Sequence, residues 1–381
     1  MRRLYREQIG KRLRKGDVVG LARHALRYAR LRASYALGKP LAGPILGTFI
    51  TNYSCNLRCK MCDLPLRVPR YKSEGLEPLG TEEIERVLDD FAALGTIGLG
   101  FTGGEPLMRK DITTLLARSK TTGMITHLNT NGTFLTPEVL DTVVASTDSV
   151  NLSLDGADAA THDAIRGKDG NFQEVLDAAE RILAARGTAG VTPRVKLVSV
   201  LSNENLDQVD RLIELRREIG ADSIDFIPVH DFDTPGSDRE RLLPGRNGGA
   251  ADDVAARLQE LTKTEPIDNS LAHLSLLPRA LAGEPSPVRC HAGYNSLVVD
   301  LYGRIFPCVP WSNQDRPVGN VRETPLREFW KSGAYAKARE DVKRCRDCYL
   351  NCQTELNLLF DPRAPKRPRA ARPQADPSAF V

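Results

Sequence analysis

The chain has 381 residues, 41% of them hydrophobic and 27% charged, with a formal net charge of +4. That is enough for one large core plus a smaller module, and no apolar run reaches the roughly 18–20 residues that would cross a bilayer. The opening Met1-Arg2-Arg3-Leu4-Tyr5-Arg6 lacks the apolar centre of a secretory signal, so a cytoplasmic protein is expected, and so small a net charge gives no reason to expect nucleic acid.

Residues 1–46 read as a basic leader. Apolar residues recur at helical intervals over 17–37, and Gly38-Lys39-Pro40 marks the stop. The leader is expected to pack on the main domain with a solvated basic face. A second reading is peripheral contact with an anionic membrane.

From residue 47 the pattern changes to short strands alternating with helices. Strands are expected over 47–52, 97–101, 124–129, 149–154, 194–201 and 223–229. Helices are expected over 81–94 (Thr81 as N-cap), 110–122, 137–145, 172–186 and 206–219. Repeated β/α units give a parallel sheet with helices outside. Six units over 47–232 make an α/β fold with a partial, TIM-like (β/α)6 barrel. Residues 233–285 read as a linker with helices, 286–360 as a separate small cysteine-rich domain containing a hairpin around Tyr302-Gly303, and 361–381 as a disordered tail rich in Pro, Ala and Arg.

The eight cysteines are bunched. Cys55, Cys59 and Cys62 form a C-x3-C-x2-C loop after the first strand. Cys290, Cys308, Cys345, Cys348 and Cys352 all fall in the last domain. Bunching of this kind in an intracellular chain points to metal or catalysis rather than disulfides. Three thiolates on a four-iron cluster leave one iron open to a ligand, whereas zinc wants four ligands and none stands beside this triplet. In the second set, the hairpin offers two thiolates and the knuckle two more. That makes a four-ligand site for a cluster or a structural zinc, with Cys352 as a replacement ligand or a free thiol.

The first loop resembles the signature of the radical S-adenosylmethionine (radical SAM) superfamily, with Met61 where an aromatic residue is usual. Thr102-Gly103-Gly104-Glu105-Pro106, at the end of the second strand, is similar to that family's GGE motif. Asn129-Thr130-Asn131-Gly132-Thr133 and Ser153-Leu154-Asp155-Gly156 resemble stretches that end its next strands. The last domain resembles truncated SPASM or twitch modules, which hold auxiliary clusters. The resemblance implies a [4Fe-4S] cluster on Cys55, Cys59 and Cys62, with SAM bound at its open iron. Gly103, Gly104 and Glu105 would meet the SAM amino group. Ser153 and Arg166 would meet its ribose or carboxylate, and Asn131 belongs to the same cofactor-binding set. It also implies an auxiliary [4Fe-4S] cluster among the five later cysteines.

Under this resemblance the protein is an enzyme. It cleaves SAM reductively, with electrons from a flavodoxin- or ferredoxin-type donor, to a 5′-deoxyadenosyl radical. That radical takes hydrogen from a small-molecule or peptide substrate for oxidation or bond formation. The alternatives are a ribosomal-peptide maturase of the SPASM type and a non-catalytic electron carrier or scaffold, which would need no GGE motif. His127, His162, His273 and His291 do not cluster and are assigned no role. His230 and Asp231, after the sixth strand, are candidates to face substrate.

Overall fold

The computed structural model describes residue 10 and residues 17–189, 193–230, 242–244 and 249–361. The expectations for most of the leader before residue 17, for Asp231 and most of the loop after it, and for the tail beyond 361 lie outside those residues.

The six expected strands form: β1 (Leu46–Ile50), β2 (Gly98–Thr102), β3 (Ile125–Thr130), β4 (Ser149–Ser153), β5 (Arg194–Leu201) and β6 (Ser223–Pro228). They pair in chain order and all in parallel. Between them run α2 (Leu64–Ser73), α3 (Thr81–Ala93), α4 (Ile112–Thr121), α5 (Pro137–Ser146), α6 (Ala159–Arg166), α7 (Asn171–Ala189) and α8 (Val209–Ile219), and α1 (Val18–Leu37) precedes the sheet. Because strand side chains alternate faces, Phe49, Phe101, Leu128, Leu152, Leu197 and Phe226 point out to the helices and are fully buried. Their neighbours Thr48, His127, Asn151, Lys196 and Asp225 point in and line a polar lumen.

One helix cap and two helices, α2 and α6, depart from expectation. The N-cap of α3 is Gly80, not Thr81: Glu83 accepts the Gly80 N–H at 2.9 Å, while the Thr81 hydroxyl donates to Asp111 at 2.6 Å. Helix α6, short and carrying little sequence periodicity, was not expected. Its C-terminal carbonyls receive the Arg58 and Lys60 N–H groups and so anchor the first cysteine loop.

The C-terminal hairpin, expected as a separate unit, joins the barrel sheet. Strand β7 (Ser296–Asp300) lies parallel to β1, with Leu46 opposite Ser296 and Ile50 opposite Asp300. Strands β8 (Arg304–Phe306) and β9 (Gly319–Asn320) follow antiparallel. The result is one sheet of order β6-β5-β4-β3-β2-β1-β7-β8-β9. The remaining helices are α9 (Ala250–Leu261), α10 (Leu271–Leu274), α11 (Leu277–Leu281), α12 (Val309–Asn313), α13 (Leu326–Phe329), α14 (Gly333–Arg344) and α15 (Asn351–Phe360). Helix α15 docks on β6, where Asn351 Nδ2 donates to Asp225 Oδ1 at 2.5 Å and to the Phe226 carbonyl at 3.1 Å. Helix α1 packs on its far end: Tyr28 stacks on Phe360 at 5.0 Å and donates to the Leu359 carbonyl. Among the described residues no helix is long and apolar enough to cross a membrane.

Candidate functional site

Cys55, Cys59 and Cys62 line one cavity of about 380 Å³ at the C-terminal ends of the strands, together with Gly103, Gly104, Glu105, Asn131, Ser153 and Arg166. This is where α/β barrels gather their active groups. All nine residues singled out in the first half of the sequence therefore meet. Asn203, just after β5, does not line this cavity; its backbone N–H is held by the Leu242 carbonyl.

The glycines of the 102–106 loop are fixed by the cysteine loop itself. A Cβ on Gly103 (φ +142°) would lie 2.3 Å from the Asn52 carbonyl oxygen, and one on Gly104 would lie 2.0 Å from that of Ser54. The two segments also pair through Gly104 N–H to Asn52 O (2.8 Å) and Glu105 N–H to Ser54 O (2.9 Å). Only glycine lets the backbones approach this closely. Packing against the cysteine loop by itself requires glycine at both positions.

Glu105 is buried and already occupied. Its Oε1 accepts from Thr130 (2.7 Å) and the Leu107 N–H (3.0 Å), and its Oε2 accepts from the Asn131 N–H (2.7 Å). A carboxylate offers about four acceptor positions, so one remains for a ligand. Burial outweighs these bonds and raises its pKa to about 7. Arg166 Nε pairs with Asp155 Oδ2 at 2.6 Å, and its Nη1 reaches Cys59 Sγ at 3.8 Å. Asp155 is fully buried and also accepts the Val200 N–H. This ion pair is internal, not the surface bridge that is the usual fate of an arginine. Asn131 Nδ2 contacts Cys55 Sγ at 3.8 Å and Asn56 at 3.0 Å, so it orients the thiol it adjoins.

Burial raises the Cys55 thiol and, outweighing the Arg166 guanidinium beside it, pushes Cys59 up to about 11. Such thiols ionise when a metal takes the charge.

Of the later cysteines, Cys290, Cys308, Cys345 and Cys348 surround one small pocket. Burial pushes Cys290 up to about 12 and raises the other three. Cys352, on the first turn of α15, lines the barrel lumen instead, though it lies near enough to raise Cys308 and Cys348. Among the described residues no three His, Cys, Asp or Glu side chains converge on a single-ion site. Spaced thiols of this kind suit a cluster better than one zinc.

His230 joins the two halves. Its Nδ1–H donates to the Pro228 carbonyl (2.8 Å), and its Nε2 accepts the Tyr349 N–H (2.6 Å), beside Cys348. It lines the upper cavity, but with both ring nitrogens engaged it is a tether rather than a base. A second link gave no signal in the sequence. The Tyr53 hydroxyl donates to Asp300 at 3.0 Å, and Arg304, 2.8 Å from Asp300, lies over the Tyr71 ring at 4.7 Å. These residues come together only because β7 pairs with β1.

Comparison with known proteins matches these halves separately. The radical SAM superfamily matches residues 49–216, and an iron–sulfur cluster-binding (SPASM) domain matches residues 290–349. The chain is 30% identical over 331 residues to the PqqA peptide cyclase of Ruegeria pomeroyi, spanning 82% of this chain and 83% of that protein. It is 29% identical over 326 residues to the AdoMet-dependent heme synthase of Methanosarcina barkeri, spanning 77% and 85%. The crystal structure of Streptococcus suis SuiB superposes with a TM-score of 0.65 at 17% identity, covering 97% of this chain and 87% of that one. The chain belongs to the radical SAM superfamily and carries a C-terminal SPASM domain.

Proposed function

We propose that the enzyme oxidises, or forms a bond at, an unactivated C–H of its substrate, with each cofactor held by the residues that line its own cavity. Cys55, Cys59 and Cys62 hold the [4Fe-4S] cluster. Gly103, Gly104, Glu105, Asn131, Ser153 and Arg166 form the wall against which SAM lies. Cys290, Cys308, Cys345 and Cys348 hold the auxiliary cluster, and Cys352 is not a ligand. The donor sets fit: three half-buried thiols open onto a cavity of ligand size, and four surround a closed one. When bound, the cluster and SAM supply a 5′-deoxyadenosyl radical for hydrogen abstraction.

The observation that carries this reading is the convergence of all nine residues on one cavity. Within it the chain's own groups have defined tasks. Arg166, held by Asp155, keeps a positive charge against Cys59. Asn131 orients Cys55, and the fit of residues 103–104 to 52–54 fixes the loop. Reconstituted protein given SAM and dithionite is expected to release 5′-deoxyadenosine and to contain about eight iron and eight sulfide per chain. Absence of the nucleoside would overturn the reading, and about four iron would remove the auxiliary site.

A peptide substrate is the second reading, supported by the 30% identity to a peptide cyclase across 83% of its length. Its test is a hydrogen-abstraction assay with deuterated candidate peptides. The reading places the enzyme in the cytoplasm with a flavodoxin- or ferredoxin-type donor. Contact with an anionic membrane is supported by Val18, Val19 and Leu26, which α1 exposes beside Arg23 and Arg30. Sedimentation with anionic vesicles tests it.

A further inference from the structure

A second chamber of about 260 Å³ lies below the cysteine loop, toward the N-terminal ends of the strands. It shares Thr102, Asn129, Val198, Ile227, Val309 and Leu350 with the upper cavity, so the two form one lumen. The cofactors occupy the upper part, which leaves the lower part for what is processed.

Three observations say what this chamber receives. First, His127 is 7% exposed, and its Nε2 is buried without a hydrogen-bond partner among the described residues. It sits on the inward face of β3, in the chamber wall. Burial holds its pKa well below the ordinary value, so the ring is neutral and one nitrogen is an acceptor. Second, Asn351 gives both amide hydrogens to Asp225 and the Phe226 carbonyl, and its Oδ1 is buried without a donor. A buried polar atom left unpaired costs about 1–3 kcal/mol, so two such acceptors in one chamber call for donors from outside the protein. Third, the charged side chains in the wall are Arg194 and Lys196 against Asp225, Asp268 and Glu355. That balance offers no excess cation to a carboxylate.

Beside His127 the wall is bare at its cross-strand neighbour. Gly100 on β2 has an ordinary backbone angle, and a Cβ there would meet nothing closer than the Gly47 carbonyl oxygen at 3.9 Å. Neither strain nor packing requires a glycine at this position. The missing side chain is open volume facing the lumen.

We propose that the lower chamber is a specificity pocket for a substrate portion bearing a hydroxyl or amine donor, received by His127 and Asn351 Oδ1. This rests on the function above only in placing the reacting C–H in the upper cavity.

The test uses the holoenzyme with 15N-labelled histidine and ethanolamine as probe, with acetate as a control of the same size. The His127 signal is identified by its loss in His127→Gln. Ethanolamine is expected to shift that signal saturably and acetate to leave it in place. Gly100→Leu, which fills the chamber, is expected to weaken the ethanolamine response at least about tenfold, roughly 1.4 kcal/mol. Gly100→Ala gives a smaller, graded loss and serves if the leucine variant does not fold. An equal response to acetate, no response of His127 to ethanolamine, or full binding in both glycine variants overturns the pocket. Wild-type SAM cleavage is measured in parallel without probe. Its failure sinks the radical SAM reading alone, and failure of the His127 response with cleavage intact sinks the pocket alone.

Discussion

The two thiol sets differ in number and in surroundings. The first set has three thiols on a loop, facing a cavity of about 380 Å³ that also holds an arginine, an asparagine and a serine. The second has four thiols in a pocket closed by Trp311 and Val342, with the fifth turned away into the lumen. An iron with an open position needs space and polar groups around it, whereas a fully ligated cluster needs neither. The same residue type is thus placed by the fold beside an open polar cavity in one set and around a closed pocket in the other.

The largest effects come from deleting thiols. Cys59→Ala is expected to abolish 5′-deoxyadenosine formation and remove about four of the eight irons, read by nucleoside analysis and iron counts. Cys348→Ala sharpens the contrast: it is expected to remove a similar amount of iron while SAM cleavage persists and substrate conversion is lost. Cys352→Ala is expected to change neither the iron count nor SAM cleavage. If it lowers iron as Cys348→Ala does, the division of the second set is wrong.

The next effect tests the polar groups beside the open set. Asp155→Asn leaves Arg166 buried without its counter-ion, and breaking such a pair costs about 3–5 kcal/mol, measurable by denaturant unfolding of the apo-protein. Glu105 gives a pH signature. Its pKa is raised from 4.5 to about 7, so the native state holds its proton more tightly than the unfolded chain. The stability it contributes is complete below pH 4.5 and is lost as pH rises through about 7, on the order of 3 kcal/mol in all. Glu105→Gln is expected to remove that slope, and an unchanged pH profile would refute the assignment. Far from either thiol set, Glu83 caps α3 and pairs with Arg322 at the surface. Glu83→Gln is expected to cost less than about 1 kcal/mol.

Much of this was legible in the sequence, because it is local. The β/α rhythm, the first cysteine loop and the strand-end motifs are each read from residues close in sequence, and all six barrel strands formed where expected. What was missed depends on pairing over distance. Nothing in Ser296–Asp300 names β1 as its partner, and nothing near Glu105 shows that its oxygens are taken by Thr130 and Asn131. The polar lumen does leave a local trace in the sequence. Arg194, Lys196, Ser223 and Asp225 alternate with apolar residues along β5 and β6, which is the pattern of a sheet with one polar face rather than of strands buried on both. Which of the five later cysteines share a pocket was open in the sequence; Cys352, on α15, lines the lumen while the other four line the closed pocket.

The pairing of β1 with β7 has a consequence for the making of the protein. The two strands are separated by about 250 residues of chain, so one side of β1 waits bare on the ribosome until almost the whole polypeptide has emerged. Contacts so distant in sequence form slowly, and an unpaired strand invites aggregation meanwhile. A fragment cut before residue 290 would keep that exposed strand for good. Expression of the barrel alone is therefore expected to give inclusion bodies, and insertion of the C-terminal hairpin is expected to be the late step that makes the barrel soluble.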